Sequence, residues 1–206
     1  MTSNLFLRKK EILLFSSHDE HPATCQLKNF IHCLNHFDKK RPLRFAYSES
    51  NTLMMSHLTI KENILLDGVI HTLCSTKEFQ LKKHLDKEGR PRLVKLFNQI
   101  GDIELRPDQV STETLKLVSL LKTLLRPSDY LFFENPQMHL SDMNLAIFIE
   151  ALKEQVEIKN QTIFIHSTNE DLWSDLVSKK ILKEVDGLIK VLLPSSFKKV
   201  SDKIAA

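Results

Sequence analysis

Apolar residues recur along this chain in two rhythms. Short unbroken runs at 11–15 (EILLF), 43–47 (LRFAY), 130–133 (YLFF) and 162–165 (TIFI) predict strands buried on both faces. Between them the spacing becomes helical. Leu27, Phe30, Ile31 and Leu34 predict an amphipathic helix over 22–37, with Pro22 in its first turn. Leu93, Leu96, Phe97 and Ile100 form one stripe that Gly101 can close. Leu117, Val118, Leu121, Leu124 and Leu125 predict a helix over 114–125, stopped near Pro127. Ser141 is placed to cap a helix whose buried face uses Leu145, Phe148, Ile149, Leu152 and Val156. A further helix is expected over 170–179. Asp186-Gly187 between ILKEV and LIKVLL predicts a β-hairpin.

Strands alternating with helices imply an α/β fold with a mainly parallel sheet. The stretch 59–109 is helical and charge-rich, broken at Gly89-Arg90-Pro91, and lies between the early and late strands. It is expected to be a helical subdomain inserted into an α/β core of 1–58 and 110–194, followed by a tail of 195–206.

Composition narrows the function. The chain has 206 residues, 42% of them hydrophobic, enough for a sizeable core. A net charge of +3 with mixed signs and no basic stripe argues against nucleic acid. The N-terminal stretch lacks the layout of a signal peptide, and no apolar run is long enough to span a membrane. Three cysteines suggest no disulfide framework. A soluble cytoplasmic protein is expected, at most peripheral to the membrane's inner face through a partner.

Three local constellations could carry chemistry. Glu134-Asn135-Pro136 ends a buried strand, as acidic sites of nucleotide hydrolases do. His18, His21, Cys25, His32, Cys33 and His36 cluster in sequence. His32 and His36 share a helix face, so a zinc pair competes there with a solvated flank and buried cysteines. Ser111 is a helix cap or a nucleophile, and no GxSxG elbow surrounds it.

Five segments in order resemble the ATP-binding subunits of ABC transporters. HLTIKENILLDG (57–68) is similar to the segment after that family's glutamine loop. LVKLFNQIGDIEL (93–105) is similar to the helix and turn before its signature. VSTETLKLVSLLKTLLRPSDYLFFENP (110–136) is similar, without a gap, to the signature-to-Walker-B segment. TIFIHSTNEDL (162–172) resembles the strand into the histidine switch, and ILKEVDGLIKVL (181–192) the terminal hairpin. The resemblance implies a P-loop NTPase-like fold.

It also implies a ruined site. The family's phosphate loop needs several glycines, a lysine and a hydroxyl residue, because backbone N–H groups wrap the phosphates. The matching stretch SSHDEHPATCQL has no glycine; Ala23 stands about where the lysine belongs and Thr24 about where the hydroxyl does. Asp19 and Glu20 add negative charge, and like charges about 4 Å apart repel by about 1 kcal/mol even in water. Glu134 matches the magnesium-holding aspartate. Asn135 matches the catalytic glutamate, and an amide cannot serve as general base. Val110-Ser111-Thr112-Glu113-Thr114 matches the signature LSGGQ, keeping only the serine and setting Glu113 toward phosphate. Thr168 matches the switch histidine, with His166 two residues earlier, and the loop glutamine falls near Ser50.

The resemblance therefore implies a catalytically inactive subunit with no cofactor. Its partner would be a membrane permease or an active ATPase subunit of the same type; a homodimeric scaffold is an alternative. A divergent NTPase using Thr24, Glu134 and His166 is a second. Ser50, Leu53, Met54, Met55, His57 and Leu58 match the border of the groove where the family receives its membrane subunit. Methionines suit an adaptable partner surface, but they could equally fill core.

Overall fold

The computed structural model describes residues 10–17, 44–66, 81–183 and 189–192. Among these, six strands form one sheet: β1 (Ile12–Ser17), β2 (Phe45–Ser48), β3 (Tyr130–Glu134), β4 (Thr162–His166), β5 (Lys179–Lys183) and β6 (Ile189–Leu192). Their order is β2-β3-β4-β1-β5-β6. All neighbours run parallel except the last pair, where β6 returns antiparallel to β5. This is the expected mainly parallel α/β sheet, with the expected hairpin pairing at its end. The Asp186-Gly187 turn lies outside the described residues, as do the helix expected over 22–37 and the tail of 195–206.

The sheet is buried on both sides, which explains why its strands read as unbroken apolar runs. Successive side chains point to opposite faces. Leu131, Phe133, Ile163 and Ile165 join the large core on one face. Tyr130, Phe132 and Phe164 join Leu13, Phe15 and Ile181 on the other. There Phe132 stacks on Phe164 at 4.6 Å and Phe45 on Tyr130 at 5.5 Å.

Among the described residues five helices belong to the large core: α1 (Ile60–Leu65), α2 (Leu81–Lys87), α3 (Pro91–Asn98), α4 (Thr112–Leu125) and α5 (Asp142–Glu154). Ser111 caps α4, accepting from the Thr114 N–H at 3.1 Å, and Ser141 caps α5 as the sequence suggests. Gly89 at φ +68° ends the turn before Pro91 starts α3. Leu145, Phe148 and Leu152 are buried on α5, with Ile149 and Val156 packed at the edge of the core. The excursion between β2 and α4 leaves and returns at one point, because the N–H groups of Ile60 and Lys61 donate to the carbonyls of Leu105 and Ile103 at 2.8 and 2.9 Å. A capping box of Thr59 and Glu62 fixes that entry. Its helices pack into the same core as the sheet.

One expected element is absent. Residues 170–179 hold a single 3-10 turn, Asp171–Trp173, and not a helix. Leu172, Trp173, Leu176 and Val177 have helical spacing, but pairing with β1 wins. The Ser178 N–H donates to the Ile12 carbonyl at 2.9 Å, and Lys179, bonded to Glu11, is already in β5. β5 accordingly begins two residues before the predicted run. No helix among the described residues is long and apolar enough to cross a membrane.

Candidate functional site

The carboxyl ends of β2, β3 and β4 meet in one hydrogen-bonded cluster, the place where open α/β sheets bind ligands. Asn135 is its hinge. Its backbone adopts φ 42°, a left-handed conformation that asparagine tolerates better than most residues. Its N–H donates to the His166 carbonyl at 2.7 Å. Its side-chain Nδ2 donates to Ser50 Oγ at 3.0 Å, and its Oδ1 accepts from the Thr168 N–H at 2.8 Å. One buried amide thus joins the loops that follow three strands.

Glu134 stands in register with His166 across β3 and β4. Its Oε2 accepts from the Tyr47 hydroxyl at 2.6 Å. Beneath the loop after β2, Lys116 of α4 is wholly buried. Its Nζ donates to the carbonyls of Glu49 and Ser50, both at 3.1 Å. Burial lowers the Lys116 pKa to about 8, and the nearby Glu134 carboxylate opposes that fall. Burial likewise holds the His166 imidazole below its ordinary value, against the pull of Glu134 and Glu170. His166 Nδ1 has no hydrogen-bond partner among the described residues.

The structure therefore gathers Ser50, Glu134, Asn135 and Thr168, four positions singled out in the sequence. Ser111 belongs elsewhere, as the cap of α4. Glu113, expected to face phosphate, instead turns to the start of α5. Its Oε1 accepts from the Ser141 N–H and hydroxyl, both at 2.7 Å, and from Asn144 Nδ2 at 2.6 Å. Those three donors hold its carboxyl below the usual range, the Ser141 N–H contributing most. Ala23 and Thr24 lie outside the described residues, as does the histidine–cysteine cluster. No metal-binding group of His, Cys, Asp or Glu exists among the described residues.

Sequence reasoning missed Lys116 and Tyr47. The signal for Lys116 was available: it shares a helical stripe with Leu120 and Thr123, where a lysine is out of place unless its ammonium has a buried partner.

Next to the cluster a groove of about 530 Å³ runs between the 49–55 segment and α4, with Leu53, Met54, Met55 and Leu66 on one side and Lys122 and Arg126 on the other. Leu53 is 80% exposed and Met55 53%, whereas Met54 packs into the core. The two methionines thus divide between exposed surface and core filler. The buried Asn63 side chain holds this segment, accepting from the Met55 N–H at 2.9 Å and donating to the Met55, Leu58 and Thr59 carbonyls. Ser50, His57 and Leu58 do not line the groove; Glu49 and Asn51 do.

Neither a family model nor a curated protein matches the sequence. Solved structures do resemble it. One described as the ATP-binding subunit of an ABC transporter aligns with a TM-score of 0.67 at 12% identity, over 96% of this chain and 83% of that one. A dimeric ATP-binding cassette in a post-hydrolysis state, bound to ADP and Pi, aligns at 0.61 and 12% identity, over 91% and 87%. An RNase-L inhibitor aligns at 0.61 and 16% identity, over 89% of this chain but 34% of that one. At such identities the likeness is one of fold: this chain has the fold of an ABC-type ATPase domain.

Proposed function

We propose that the chain is a catalytically inactive ABC-type ATPase domain that binds protein instead of hydrolysing nucleotide. One observation carries this reading. At the position that resembles the catalytic carboxylate, Asn135 commits its amide oxygen to Thr168 and its amide nitrogen to Ser50. An amide cannot take a proton from water, and this one already spans the loops that a nucleotide would otherwise organise. Lys116 adds a resident positive charge below the same loops. The glycine-free stretch containing Ala23 and Thr24 supplies neither the flexible backbone nor the lysine that a polyphosphate requires.

The groove beside the cluster would receive the partner, a membrane permease or an active ATPase subunit of the same type, at the inner face of the membrane. Leu53 and Met55 would bury their exposed surface against it. Calorimetry with Mg-ATP tests the first step, and micromolar binding would sink the reading. Pull-down from membranes with and without the Met55→Glu change tests the second.

A second reading has one point in its favour, the pairing of Glu134 with His166 in register. It makes the chain a divergent NTPase using Thr24, Glu134 and His166. Phosphate release that vanishes in Glu134→Gln would establish it. A ligand-free dimer in light scattering would instead favour a homodimeric scaffold.

A further inference from the structure

Residues 49–55 run as a strap between β2 and α1, pinned at its two ends. At the first pin Ser50 Oγ accepts from Asn135 Nδ2, and the Glu49 and Ser50 carbonyls accept from Lys116 Nζ. At the second, Asn63 binds both the N–H and the carbonyl of Met55. Between the pins, residues 51–54 make no hydrogen bond among the described residues. There Leu53 is exposed, and Met54 alone packs against the core.

The first pin rests on a charge in an unusual place. An ammonium offers three donors, and buried charges are as a rule paired. Lys116 is wholly buried, donates to two carbonyls and makes no ion pair among the described residues. The Glu134 carboxylate acts on it without touching it. The other titratable groups of the cluster are Tyr47 of β2, bonded to Glu134, Glu49 of the strap itself, and His166 of β4, beside Glu134. Charges on the helices packed against α4 are engaged or distant. Lys61 pairs with Glu104, Glu62 is held by Thr59, Arg92 pairs with Glu150, and Lys95 is exposed. On α4 itself Glu113 turns to Ser141 and Lys122 lines the groove.

Lifting the strap would break the bonds to Lys116 and Asn135 and unpack Met54. It would also return the ammonium to water, which offsets much of that loss. We propose that residues 49–55 are a two-state strap over Lys116: closed, they form the wall of the groove; lifted, they hydrate the ammonium and dismantle that wall. The shape of the groove is thereby linked to the proton on Lys116. Burial lowers the Lys116 pKa to about 8 in the closed form, and lifting restores the ordinary value of a hydrated lysine. Rising pH removes the charge that lifting would hydrate, and so favours the closed strap. His166, held below its ordinary value, titrates beneath that window. The strap concerns this chain alone, so its failure would leave the partner reading untouched.

The test uses the full chain with 13C-labelled methionine methyls, followed by relaxation-dispersion NMR. Met54 and Met55 lie on the strap; Met138 and Met143, before and within α5, are the controls. Met54 and Met55 should share one exchange process, with a minor form on the order of 1% at pH 7.5. That population should fall at least about fivefold by pH 9.5. In Lys116→Met any remaining exchange should be flat over the same range. Should that variant not fold, the wild-type series decides alone. Absence of exchange at Met54 would overturn the proposal. So would equal exchange at Met138 and Met143, a minor form that does not shrink with pH, or a pH dependence that survives Lys116→Met.

Discussion

Replacing Lys116 by methionine keeps most of the side chain's volume and removes only the ammonium. Two effects of opposite sign follow. The fall of the Lys116 pKa from 10.5 to about 8 says that folding penalises the charged form by roughly 3 kcal/mol, at about 1.4 kcal/mol per tenfold change in protonation. Methionine abolishes that penalty. It also strands the carbonyls of Glu49 and Ser50, each costing about 1–3 kcal/mol when a buried acceptor loses its donor. Near pH 7 these effects largely offset, so the dependence on pH is the sharper readout. Between pH 8 and 10.5 the unfolded chain holds a proton that the folded chain has released, and stability must rise with pH through that window. From pH 7.5 to 10 the wild type should gain on the order of 2 kcal/mol relative to Lys116→Met. Urea unfolding followed by fluorescence reads this directly, because Trp173 is the only tryptophan and is fully buried. Parallel pH curves for the two proteins would refute the argument that Lys116 is folded into the site as a costly ammonium.

His166 should act at the acid end. Its folded pKa is lowered, so its contribution is intact above about pH 6.5 and is lost as pH falls through the window below; His166→Gln should flatten that fall in the same urea assay. Asn135→Ala removes both amide hydrogen bonds and leaves alanine at φ 42°, so a loss of roughly 2–4 kcal/mol is expected in chemical unfolding. On the inactive reading, Asn135→Glu should give no phosphate release, since residues 16–27 still contain neither glycine nor lysine. Leu53→Ser with Met55→Ser should change stability by less than about 0.5 kcal/mol, both side chains being exposed, yet abolish capture of the proposed partner in pull-down from membranes.

The sheet was legible because its strands are buried on both faces and so carry continuous apolar runs; YLFFE and TIFIH could be read without any partner. Caps were legible for a related reason. Ser111 and Ser141 announce helix starts by local chemistry that does not depend on the rest of the fold. The stretch 170–179 misled because its apolar spacing is helical, while what decides its shape is a strand more than 150 residues earlier. The cluster at the strand ends was half visible. Glu134, Asn135, Thr168 and Ser50 follow from motif order, but their junction through one amide depends on loop geometry that no spacing encodes. Glu113 went astray for the same reason: its sequence neighbours say nothing of Ser141 and Asn144, which take up its carboxylate.

The place of β1 in the sheet sets a schedule for the growing chain. Its two neighbours, β4 and β5, are made about 150 and 165 residues after it. During synthesis the apolar segment ILLF therefore emerges long before the strands it pairs with, whereas β3 and β4 can dock soon after the helix between them is complete. Insertion of β1 between β4 and β5 is a long-range step of assembly, and its apolar run is a natural target for a holding chaperone until then.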